Sequence, residues 1–139
     1  ATGKLTVEIK DKDGKVKDTR ELTNLVVSDG LDFIASRMKD ATATAMSHMA
    51  IGTGSTAAAS GDSALGTEAA RQALTSTTVN NNAVSYVASF AAGTGTGAIT
   101  EAGVLNAASS GTLLCRTVFS VVNKGASDSM TITWTITIS

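Results

Sequence analysis

His48 is the one histidine in the chain and Cys115 the one cysteine. A serine or cysteine nucleophile needs a base within hydrogen-bond reach, so any such site here would have to recruit His48. Cys115 lies between Leu114 and Arg116 in a run that reads as a strand, which suits a core thiol. One His and one Cys fall short of a zinc site without carboxylate help. No catalytic residues, no metal ligands and no cofactor are therefore assigned from the sequence.

Two further motifs invite chemistry. Gly52-Thr53-Gly54-Ser55-Thr56-Ala57 follows an apolar run and has the form GxGxxA. That pattern binds dinucleotides when a helix follows and an acidic residue closes a second strand some 20 residues on. Here small residues without helical periodicity follow, and a flexible loop is expected instead. Asp11-Lys12-Asp13-Gly14 carries calcium-type ligands, but Lys15 and Leu22 fill positions where an EF-hand needs a polar ligand and a Glu. A hairpin turn explains it better.

A third set is defined by rarity. Residues 1–40 contain 8 basic and 8 acidic side chains, whereas residues 41–139 contain only Arg71, Arg116 and Lys124 against Asp62, Glu68, Glu101 and Asp128. Asp62, Glu68, Arg71, Glu101 and Arg116 are the candidate structural or interface residues. Arg can hold a carboxylate with two parallel bonds, within a subunit or across an interface. Lys124 reads as a turn residue.

Positioning these residues calls for a mainly β chain. Leu5, Val7 and Ile9 alternate with polar residues, and a second strand from about Lys15 to Leu22 completes an N-terminal hairpin over residues 1–23. Ser28 or Asp29 is expected to cap a helix over 28–40 with Leu31, Ile34, Ala35 and Met38 on its apolar face. Met46 to Ile51 reads as a short strand, and a long small-residue loop follows it. From Leu74 onward the pattern is β. Cys115, Thr117, Phe119 and Val121 are expected to share one face, as are Met130, Ile132, Trp134, Ile136 and Ile138. A single domain over 1–139 is expected, with a β-rich body over 45–139. The fold class is a β-sandwich or jelly-roll-like domain with an N-terminal hairpin and one short helix.

Composition narrows function. The net charge of −1 and pI near 5.7 give no broad basic surface for nucleic acid. No apolar run reaches the length of a membrane helix, and residues 1–5 lack the apolar core of a signal peptide; Ala1 would fit a mature start after loss of methionine. A free monomer ordinarily keeps a charged surface. The sparse charge after residue 40 therefore points to burial against neighbours.

An ordered set of segments carries a resemblance. Residues 24–31 (Asn-Leu-Val-Val-Ser-Asp-Gly-Leu) with Ile34 come first, then 49–55 (Met-Ala-Ile-Gly-Thr-Gly-Ser), then 61–68 with Arg71. Residues 99–105 and 111–120 follow, and the chain closes on Lys124 and 130–136. Over about residues 20–138 the order resembles small structural proteins of tailed bacteriophages and tail-fibre N-terminal modules. The resemblance implies a virion component with a β-rich fold, made in the host cytoplasm and assembled with other phage structural proteins. With no fibre repeats or coiled-coil heptads, the expected role is a capsid decoration (cement) protein. Its partner would be the major capsid protein, and it would form a homo-oligomer with a trimer as the arrangement to test. A tail protein (fibre-attachment, tail-tip or baseplate subunit) is the alternative, and a host-glycan-binding β-sandwich the second. Against the last stands an aromatic content of 4%, since sugar sites lean on exposed rings; Trp134 falls in the apolar row.

Overall fold

A computed structural model describes residues 1–39 and 43–139. The strands are β1 (Thr2–Lys10), β2 (Val16–Val26), β3 (His48–Gly52), β4 (Glu68–Ala73), β5 (Ser76–Asn80), β6 (Ala83–Phe90), β7 (Gly97–Leu105), β8 (Leu113–Lys124) and β9 (Ser129–Thr137); one helix, α1 (Ser28–Lys39), follows β2. Residue 40, the last of the expected helix, lies outside the described residues.

The first hairpin forms for local reasons. Alternation places Leu5, Val7 and Ile9 inside, and the Asp11 carboxylate accepts the Asp13 and Lys15 amides to close the turn. β2 runs on to Val26, past the expected end at Leu22. Its early residues pair with β1, whereas Leu25 and Val26 pair with Arg116 and Cys115 of β8.

That change of partner folds the sheet. The order is β4-β3-β7-β8-β2-β1-β9-β6-β5, with every pair antiparallel. β4 and β5 are consecutive in sequence yet sit at opposite ends. The link between them shows how far the sheet curls: the Leu74 amide donates to Ser47 beside β3, and the next amide, Thr75, donates to Val87 of β6. The result is a mainly β, sandwich-like domain in which β2 passes from one layer to the other. Met130, Ile132, Trp134 and Ile136 of β9 share its core with Met49 and Ile51 of β3, Phe90 of β6 and Ile99 and Val104 of β7.

A second apolar cluster lies on the other side of β3. Ala50 points opposite to Met49 and Ile51, and groups with Val27, Leu65, Leu105 and Leu113. Leu65 reaches it from the β3–β4 loop, so that loop is packed down over the sheet.

Four expectations are corrected. First, the helix turns a different face inward. Ile34 packs on the core as expected, but Phe33 joins it there, while Leu31 is 48% and Met38 84% exposed and Ala35 is exposed. The cause is the close approach of Gly30 to the Leu114 carbonyl, where a Cβ would collide; this contact sets the helix rotation. Second, neither Ser28 nor Asp29 is the cap. The Val27 carbonyl accepts the first helical bond, from Leu31, and the Ser28 amide donates to Ser60. Third, β8 does not keep one face. Its pairing with β7 jumps between Ile99↔Val122 and Glu101↔Val118, which puts extra residues into β8. Phe119, Val122 and Lys124 are buried and Val121 is exposed. Fourth, Ile138 lies beyond the end of β9 and is exposed.

Candidate functional site

β7 and β8 are adjacent, and Arg116 sits opposite Gly103, two residues along from the Glu101↔Val118 pair. On a pleated sheet that spacing puts Glu101 and Arg116 on one face as diagonal neighbours. Gly103 between them leaves room, since a Cβ there would press on Leu65 and Leu113. The β3–β4 loop, residues 53–67, covers this face.

Glu101 has no exposure and Arg116 only 2%. A buried carboxylate needs partners for every lone pair, and Glu101 has five donors. Its Oε1 accepts the Gly66 amide at 2.7 Å and Arg116 Nε and Nη2 at 3.1 and 3.0 Å; its Oε2 accepts the Gly54 and Thr67 amides, each at 2.7 Å. Arg116 continues the chain of contacts. Nη2 also donates to the Thr56 carbonyl, and Nη1 to Asp62 Oδ2 at 2.8 Å. Asp62 in turn accepts the Ala59 amide, and Thr100 Oγ1 donates to the Gly54 carbonyl.

The glycine pattern of 52–54 acquires its meaning here. No helix follows β3. A Cβ at Gly52 or Gly54 would run into the Glu101 carboxylate, so these positions require glycine for close approach. The backbone N–H groups that a dinucleotide motif would offer to a phosphate are turned toward the chain's own carboxylate. The loop expected to be flexible is pinned at Gly54, Thr56, Ala59, Asp62, Gly66 and Thr67.

The protonation states follow from these contacts. Burial pushes the Glu101 carboxyl up, but the Thr67 and Gly66 amides, the Arg116 guanidinium and the Gly54 amide outweigh it and hold it below its ordinary value. Asp62 is held low by the Ala59 amide and by Arg116. Both stay ionised near neutrality.

Glu68 and Arg71 form a separate pair on β4. Arg71 grips the Glu68 carboxylate with Nε at 3.0 Å and Nη2 at 2.7 Å, and Nη1 donates to the Ala107 and Ser110 carbonyls. The five candidates thus fall into two groups, Asp62–Arg116–Glu101 and Glu68–Arg71, and both are made within one chain.

Lys124 is corrected from a turn residue to a core one. It is 1% exposed at the end of β8, where its ammonium donates to the Ala91 and Asp128 carbonyls. The Asp128 carboxylate accepts Lys17 and the Gly125 amide and is held low by both. Periodicity missed Lys124 because the irregularity in β8 changes which side chains point inward.

His48 Nδ1 lies 2.8 Å from the neighbouring Ser47 hydroxyl. Cys115 is buried, and burial pushes its thiol far up, away from the thiolate a nucleophile requires. Among the described residues no three His, Cys, Asp or Glu side chains are grouped to hold a metal, and no helix is long and apolar enough to cross a membrane. A shallow depression beside the loop is lined by Thr23, Asn24, Ser55, Ala58 and Thr117 together with Arg116, whose guanidinium is already engaged.

No family model, curated protein or solved structure matches the chain.

Proposed function

We propose that this chain is a non-enzymatic structural component of a tailed-phage virion, and within that class a capsid decoration protein that binds the shell and joins neighbouring subunits. The observation that carries the reading is the self-satisfied cluster at Glu101. Its carboxylate and the Arg116 guanidinium are buried and directed at the chain's own loop. Such an arrangement braces a loop of small residues into a fixed shape; it offers a substrate little to grip.

The exposed surface supports the same reading. Outside the hairpin and helix it is mostly Thr, Ser, Ala and Gly with few charges, whereas a free monomer ordinarily keeps a charged surface. Trp134 has no exposure and Tyr86 8%, so neither ring is offered to a sugar; burial also pushes the Tyr86 hydroxyl up to about 12. A cement protein stabilises the shell by mass action, because it binds the assembled state and not its parts.

Labelling of purified particles tests the proposal. Signal over the head surface is expected, and particles stripped of the protein should open at lower temperature. Signal confined to tails would replace decoration with the tail alternative. Absence from particles altogether would overturn the virion reading.

A further inference from the structure

The two ends of the curled sheet are unlike. Each edge strand leaves one row of backbone N–H and C=O groups without a neighbouring strand, and proteins guard such rows with charge, proline or bulges. The β4 edge carries the Glu68–Arg71 ion pair. The β5 edge carries none of these devices. Its sequence is Ser76-Thr77-Thr78-Val79-Asn80, and residues 72–100 contain no Asp, Glu, Lys or Arg.

β5 is also unsupported on its faces. All five residues are exposed, and its pairing with β6 is unbroken in register from Ser76↔Val87 to Asn80↔Ala83. Thr77 and Val79 stand opposite Tyr86 and Val84, on the side of β6 that turns toward the core. They extend that side past the point where the core ends, and Val79 is left 70% exposed.

We propose that β5 is a self-pairing edge: two copies of this chain join β5 to β5, antiparallel, across a two-fold axis near Thr78. The occupant is a second copy because the strand is complementary to itself. A two-fold contact puts the same patch on both sides, and a charge-free strand meets its own image without like-charge repulsion. Centred on Thr78, the pairing sets Thr78 against Thr78, Val79 against Thr77 and Ser76 against Asn80, combinations that suit cross-strand contact. One layer of the sandwich then continues from copy to copy. This goes beyond the virion reading, and a two-fold pair is a different arrangement from the trimer suggested by the sequence. A single five-residue edge is small beside a standard interface, so the pair should be weak in dilute solution and strengthened where copies are held close together.

The test uses the purified full chain. Cysteine is placed singly at each of residues 76–80 and, as a control on an exposed position of β9, at Thr133 (T133C). Cys115 is buried and stays out of the reaction. Opposed residues in an antiparallel pair have Cα atoms about 4.5–5.5 Å apart, within the span of a disulfide. Under mild oxidation, T78C or an immediate neighbour should give covalent dimer at least about tenfold faster than T133C. Sedimentation of the wild type should show a reversible dimer, and T78K should raise its dissociation constant by about fivefold or more while leaving the thermal melt unchanged, since like charges then face each other. Equal trapping rates at β5 and Thr133, a wild type that stays monomeric up to about 1 mM, or a dimer indifferent to T78K would each overturn the proposal. Because the isolated chain is used, such a failure leaves the virion reading to the particle test, and failure there leaves the pairing untouched.

Discussion

At the residue scale, Glu101 concentrates the chemistry of the molecule. It is a buried charge, and its cost is offset because five donors converge on it. A carboxyl held below its ordinary value in the folded state contributes stability that is fully present above the unfolded pKa, near 4.3, and is lost as pH falls through the lower folded value. Asp62 and Asp128 shift the same way, so all three act in one window. Chemical denaturation as a function of pH should show wild-type stability falling below about pH 4. E101Q puts an amide N–H₂ among donors and should be destabilised at pH 7 by roughly 3 kcal/mol or more. The gap between E101Q and wild type should narrow as pH falls through that window; a gap independent of pH would mean the carboxylate charge is not what the site uses.

At the element scale, the β3–β4 loop behaves as part of the sheet. Its covering position was not legible in the sequence, because small residues without periodicity read as mobile chain. The hints were present: two glycines one residue apart, a third at Gly66, and rare charges at Asp62, Glu101 and Arg116. What was missing was the register of β7 against β8, which places Glu101 under the loop. Gly54 gives a direct measure. G54A drives a methyl group into the Glu101 carboxylate and should cost about 1–3 kcal/mol. Gly61, in the same loop, has open space around its Cα, and G61A should leave the melting temperature within about 2 °C of wild type. Equal effects would show that the loop tolerates displacement. The helix teaches a related lesson. Its sequence stripe nominates Leu31, Ile34, Ala35 and Met38; of these Ile34 alone packs inward, joined by Phe33, where Gly30 closes on Leu114.

At the scale of the whole molecule, charge and order are distributed unevenly. The first 40 residues carry most of the charge, the sandwich interior is apolar apart from Lys124, and the loop face is held by one ionic cluster. Amide hydrogen exchange should reflect this. The Gly54 and Thr67 amides, though in a loop, should be protected like those of β3 and β7, whereas Ser76–Asn80 in dilute solution should exchange fastest among the strands. Fast exchange at Gly54 together with slow exchange at β5 would reverse the assignment of which segment is anchored and which is open. The sparse charge after residue 40 belongs to this scale too, since it is the property that the proposed contacts with shell proteins and with a second copy both use.

The sequence by itself determined the local and periodic features. Alternation in β1 and β9 depends on adjacent residues only, so the buried rows Leu5-Val7-Ile9 and Met130-Ile132-Trp134-Ile136 could be read directly, as could the Asp11–Gly14 turn and the mainly β class. The tertiary structure decided everything that depends on strands far apart in the chain. It set the irregularity that buries Lys124 and exposes Val121, the rotation of the helix, and the passage of β2 between layers. It also brought Gly54, Asp62, Gly66, Glu101 and Arg116 to one point. The physical reason is that periodicity records which side of its own strand a residue occupies, whereas a buried ion pair depends on which strand lies beside it and in what register.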